Sequence, residues 1–62
     1  MFEFGAGQIQ VGDEFTTDEG RTWWRASRVE PRGSDRVWIE AQGRKGEVSS
    51  QTYATDDKFI VR

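Results

Sequence analysis

The chain has 62 residues with a formal net charge of −2, seven Gly, one Pro and neither Cys nor His. A chain this short holds one core and buries only about 60% of the surface its unfolded form exposes. Without Cys or His it lacks the usual zinc ligand sets and any disulfide, so apolar burial alone, or with a partner subunit, must stabilise it.

No apolar stretch approaches the ~20 residues of a membrane span, and no charged-then-apolar leader pattern opens the chain, so a soluble, cytoplasmic location is expected. The sequence pI near 5.0 argues against nonspecific coating of nucleic acid, which draws on many Lys and Arg contacts to phosphate. Charge is nevertheless polarised. Residues 1–20 carry Glu3, Asp13, Glu14, Asp18 and Glu19 with no base. Residues 21–46 carry Arg21, Arg25, Arg28, Arg32, Arg36, Arg44 and Lys45 against Glu30, Asp35 and Glu40.

Taken in chain order, residues 1–8, with Phe2 and Phe4 set against Gly5 and Gly7, form an N-terminal segment that is either a frayed end or an edge strand. Residues 9–62 read as a single domain. The segment 9–17 puts Ile9, Val11 and Phe15 on one face at period two and is the first predicted strand. Asp18-Glu19-Gly20-Arg21 supplies a turn. The next strand, 22–30, is rich in strand formers, but its apolar positions change parity between Ala26 and Val29, as a β-bulge or strong bend requires. Residues 31–35 are a loop by composition.

The segment 36–42 alternates cleanly, with Val37, Ile39 and Ala41 inward and Arg36, Trp38, Glu40 and Gln42 outward. Gly43-Arg44-Lys45-Gly46 turns the chain into a short strand around Val48. Residues 50–57 lack strand periodicity and have room for a helical turn, and 58–62 form the last strand. About five short antiparallel strands in so short a chain predict an all-β small barrel, because closure protects the edges of a sheet.

Gly12-Asp13-Glu14-Phe15 followed by a hairpin resembles the Gly-Asp-x-apolar opening of KOW-type domains. Trp23-Trp24-Arg25-Ala26 with Val29 resembles the aromatic-aromatic-Arg-Ala-x-Val strand of Tudor domains, with one extra residue before Val29. Both families are SH3-like barrels, so the resemblance implies that fold over residues 9–61. It also implies binding to RNA, DNA, ribosomal or polymerase partners, or modified peptides. The basic 43–46 loop replaces the acidic or Asn-bearing loop of Tudor domains.

An enzyme is not expected, since the Ser residues have no partner His and no Cys nucleophile exists. No cofactor is implied. The acidic pairs Asp13-Glu14, Asp18-Glu19 and Asp56-Asp57 lack Ca²⁺-loop spacing, and the 43–46 turn is not a phosphate loop. The informative set is Trp23, Trp38, Arg21, Arg25, Arg28, Arg36, Arg44 and Lys45, because an outward aromatic flanked by guanidinium groups stacks on bases while cations meet phosphates.

Trp24 reads as core. Trp23 reads either as a cap on a barrel end beneath Arg stems or as part of a binding face. Arg36 and Glu40 are also placed for cross-strand ion pairs. The leading functional expectation is a nucleic-acid-binding module. The alternative is a protein-interaction module or small regulatory protein using the same face, where Trp and Arg are enriched. Homodimerisation through Trp38 or the Phe2-Phe4 edge is a further option.

Overall fold

In the computed structural model, which describes residues 1–62, the alternating apolar segments form six strands and the only helical element is one 3-10 turn, at Ala6–Gln8. The strands are β1 (Phe2–Gly5), β2 (Glu14–Thr16), β3 (Trp24–Pro31), β4 (Arg36–Gly43), β5 (Val48–Ala54) and β6 (Lys58–Val61). All pairings are antiparallel, and the single sheet has the order β1-β6-β2-β3-β4-β5. The final strand thus lies between the first two.

Strict alternation in β4 buries Val37, Ile39 and Ala41 against Phe15 of β2, Ala26 of β3 and Phe59 and Val61 of β6, with Ala6 and Ile9 completing the core. Phe15 and Phe59 stack with centroids 5.1 Å apart, and Tyr53 meets Phe59 edge-on at 4.9 Å. Such pairs add ~0.5–1.5 kcal/mol beyond area burial. Burial of Tyr53 in this cluster pushes its phenol pKa up, despite the opposing hydrogen bond with Ser49.

The parity change in the second half of β3 is a bulge: Ala26 faces Ala41 and Arg28 faces Glu40, leaving Ser27 without a β4 partner. Its hydroxyl donates to the Glu40 carbonyl at 3.0 Å. One extra residue therefore restores Val29 to the inner face opposite Ile39.

Two expectations are corrected, and a third holds in its coarser part only. The first is the strand over 9–17, of which only Glu14–Thr16 is in the sheet. A turn interrupts it, with Gly12 at φ +96°, the Asp13 amide donating to the Gln10 carbonyl and the Gln10 amide donating to Asp13 Oδ2. Val11 is consequently 65% exposed, whereas Ile9 is buried.

The second is the helical turn expected within 50–57, where strand pairing runs through Ala54 instead. The inward positions Ser49 and Gln51 are polar, so the segment carries no hydrophobic period although its backbone pairs fully with β4.

The third is the small barrel, of which the all-β antiparallel sheet is observed. The sheet has six strands and stays open, with no ladder joining β5 to β1. The 3-10 turn links the two ends locally, its Ala6 amide donating to the Asp57 carbonyl at 2.7 Å and the Gly7 amide to the Thr55 carbonyl at 3.1 Å.

That link sets a steric demand at Gly5, where an added Cβ would lie 2.8 Å from the Thr55 carbonyl oxygen. The obstacle is backbone, so relief requires β1 and the 55–57 turn to separate. Gly5→Ala is expected to cost ~1–3 kcal/mol, the usual penalty of overpacking. In urea unfolding the midpoint should fall with the slope unchanged; an unshifted midpoint would show that the closing turn is not tightly held.

Candidate functional site

The register between β3 and β4 sets the outer face, pairing Arg25 with Gln42, Arg28 with Glu40 and Glu30 with Trp38. Trp38 lies half-buried on that face, outside the core. Its Nε1–H donates to Ser50 Oγ at 2.9 Å, and the Arg28 and Arg32 guanidinium carbons sit 5.6 and 5.4 Å from the ring centroid. Both arginines also pair with Glu30, at 3.1 and 3.3 Å. This cluster is neutralised in part by its own carboxylate. Arg36 and Glu40 lie on the same strand face without forming an ion pair.

Trp23 is at the other end of the β3–β4 ladder, beside the β4–β5 hairpin tip that carries Arg44 and Lys45. Arg44 lies six positions beyond Trp38 along β4 and its turn, roughly 20 Å at the strand rise. The structure therefore separates the expected Trp and Arg set into two clusters. Arg21, Arg25, Arg44 and Lys45 gather about Trp23, while Arg28 lies with Trp38 and Arg36 follows two residues before it. Trp24 packs against the core, as its parity with Ala26 requires.

Two grooves, of about 260 and 420 Å³, flank Trp23, and in each the indole is the sole hydrophobic side chain among charged and polar neighbours. Pockets for apolar small molecules are lined mainly by hydrophobic groups, so the chemistry here suits an anionic ligand with a flat face.

Three contributors have no local sequence signal. Arg62 places its guanidinium carbon 4.1 Å from the Trp23 centroid, a full cation–π stack. Glu14 bridges Arg25 at 3.6 Å and Arg62 at 3.5 Å. Arg32 joins the Trp38 cluster from the loop after β3. The first two contacts exist because β2 pairs with both β3 and β6, which only the folded topology reveals.

The 16–22 turn positions Arg21 and Trp23. The Thr16 hydroxyl, fully buried, donates to Asp18 Oδ1 at 2.7 Å and accepts the amides of Asp18 and Gly20. Asp18 Oδ1 also accepts the Thr22 amide at 2.9 Å. Glu19 and Gly20, at φ +63° and +92°, give the mirror-image turn that matches strand twist in tight connections. The Thr22 amide, then the Thr16 hydroxyl, hold the Asp18 carboxyl below its ordinary pKa.

No group of three or more potential metal-ligating side chains converges, and no helix is long and apolar enough to cross a membrane. The chain matches no protein-family model, no curated protein and no solved structure.

Because the folded-state pKa of Asp18 is depressed, its ionisation stabilises the turn at neutral pH, and that contribution is lost as pH falls through the folded value. Asp18→Asn is therefore expected to lower the unfolding midpoint at pH 7, with the gap from wild type closing below about pH 4. A gap that does not narrow at all as pH falls below about 4 would mean that the charge plays no part in holding the turn.

Proposed function

We propose that the chain is an SH3-like binding module that takes single-stranded nucleic acid at the Trp23 cluster. The architecture supports the first half: β2 to β5 run as a meander and β6 returns to pair with β2, the arrangement expected of an SH3-like barrel. A bulged β3 supplies the bend such a barrel needs.

The observation that carries the second half is the composition around Trp23. Arg21, Arg44 and Lys45 form no ion pair, and Arg25 and Arg62 share one carboxylate. Cations therefore exceed Glu14 and Glu47 in the two grooves that flank the indole. A base that displaces Arg62 and stacks on the Trp23 face gains ~1–3 kcal/mol from stacking, while the free cations reach flanking phosphates. Trp38 is the weaker candidate, since its arginines are already paired with Glu30.

The competing reading is a protein-interaction or regulatory module using the same Trp and Arg anchors. The net charge of −2 favours it, because overall repulsion opposes nucleic acid at low salt.

Titration with short single-stranded DNA and RNA, followed by Trp fluorescence and amide shifts, tests the proposal. Binding should weaken steeply with salt, at about −0.7 per phosphate contacted in a log–log plot. Trp23→Ala should reduce affinity about 5- to 150-fold, and Trp38→Ala should reduce it less. Arg44→Ala and Lys45→Ala should each flatten the salt slope by about 0.7. Absence of any shift around Trp23 at low salt would reject nucleic acid in favour of a protein partner.

A further inference from the structure

The two edges of the sheet are unlike. β1 is short, includes Glu3 and runs into the 3-10 turn. β5 is seven residues long, Val48-Ser49-Ser50-Gln51-Thr52-Tyr53-Ala54, with no charge, no Pro, no Gly and no bulge. Edges are normally blunted by charge, Pro, a bulge or brevity, and β5 has none of these devices.

Its free hydrogen-bonding groups can be assigned. The Gly43 amide donates to the Glu47 carbonyl at one end of the β4–β5 ladder, and the Thr55 amide donates to the Asp35 carbonyl at the other. Antiparallel pairs alternate between bonded and non-bonded. Ser49, Gln51 and Tyr53 therefore bond to β4, while Val48, Ser50 and Thr52 turn their N–H and C=O groups outward. All three are exposed.

We propose that a second copy of this chain adds its β5 to this edge, antiparallel, with the two-fold axis at Ser50. The outward groups are spaced symmetrically about Ser50, so Val48 faces the partner's Thr52 and the two Ser50 residues face each other. β-branched pairs opposite one another stabilise a ladder, and no like charges are opposed within the strand.

Charge complementarity selects a second copy over an arbitrary extended peptide. The β4–β5 hairpin tip at one end of β5 carries Arg44 and Lys45, and the β5–β6 turn at the other carries Asp56 and Asp57. None of the four takes part in an ion pair within the chain. Antiparallel addition sets each hairpin tip beside the partner's β5–β6 turn, and the symmetry repeats this at the far end. The two Trp38 clusters would then share one continuous outer face, three ladder spacings apart across the strands and four residues apart along them, roughly 20 Å in all. The interface is a strand edge rather than a broad apolar patch, so association belongs in the weak, micromolar to millimolar range.

Sedimentation equilibrium from about 10 µM to about 1 mM, at low and high salt, provides the test. Wild type should move from the monomer mass towards twice that mass, less readily at high salt. Ser50→Lys and Ser50→Glu, each placing like charges at the axis, should both remain monomeric over that range with unchanged circular dichroism. An equimolar mixture of the two variants should associate again as a one-to-one pair. A wild type that stays monomeric throughout, or Ser50 variants that dimerise alone as wild type does, would overturn the proposal. Hydrogen exchange gives an independent reading: the Val48, Ser50 and Thr52 amides should gain protection with concentration, and constant exchange there would also refute it.

Discussion

Everything in this fold depends on the insertion of β6 between β1 and β2. Only β6 pairs with both the N-terminal strand and the opening strand of the meander. It thereby brings Phe59 onto Phe15 and Tyr53, closing the aromatic centre of a core of nine buried residues. A chain with so small a core has little surplus stability. Loss of the Phe15–Phe59 contact would therefore weigh on the whole molecule, because both rings belong to its one core cluster.

The same insertion builds the candidate site. Extending past Val61, the Arg62 amide donates to the Glu14 carbonyl at 3.0 Å, so the C-terminal guanidinium is carried across β2 onto Trp23. Residues 14, 23, 25 and 62 are scattered in sequence and adjacent in space for one reason, the β3-β2-β6 order. Trp38 differs in kind. Its surroundings come from consecutive strands of a hairpin, and its arginines belong to β3 and the loop beyond it. One cluster is a product of topology and the other of local pairing.

That distinction also explains what was readable beforehand. β4 was legible because both its faces obey one rule, apolar in and polar out, and it is flanked by paired strands that keep one side dry. The bulge was legible because Ala26 and Val29 are both apolar and cannot share a face without an extra residue. β5 was not, since its inward Ser49 and Gln51 lie at the open edge where water reaches them, and a strand held by backbone bonds need not show a hydrophobic period. Val11 misled for the opposite reason: an apolar side chain at the right spacing was carried outward by a turn. In the site, Trp23 and its neighbours in the 21–25 and 44–45 segments were legible as residue types. The grouping was not, because alternation fixes which face a side chain takes but not which strand lies beside it, and nothing near position 62 signals a stack on position 23.

The four ion pairs complete the account by what they do not do. Each joins side chains at least a third exposed, and exposed pairs contribute ~0–1 kcal/mol. They are therefore not what holds the sheet together; the aromatic centre and the backbone ladders are. Their effect is on direction. Glu14 draws Arg25 and Arg62 to one point beside the indole, and Glu30 does the same for Arg28 and Arg32 around Trp38. A guanidinium held by such a pair must give up its carboxylate before it meets another anion. Arg21, Arg44 and Lys45 form no ion pair and need no release, and the proposal of the Trp23 end as the nucleic-acid site rests on that difference.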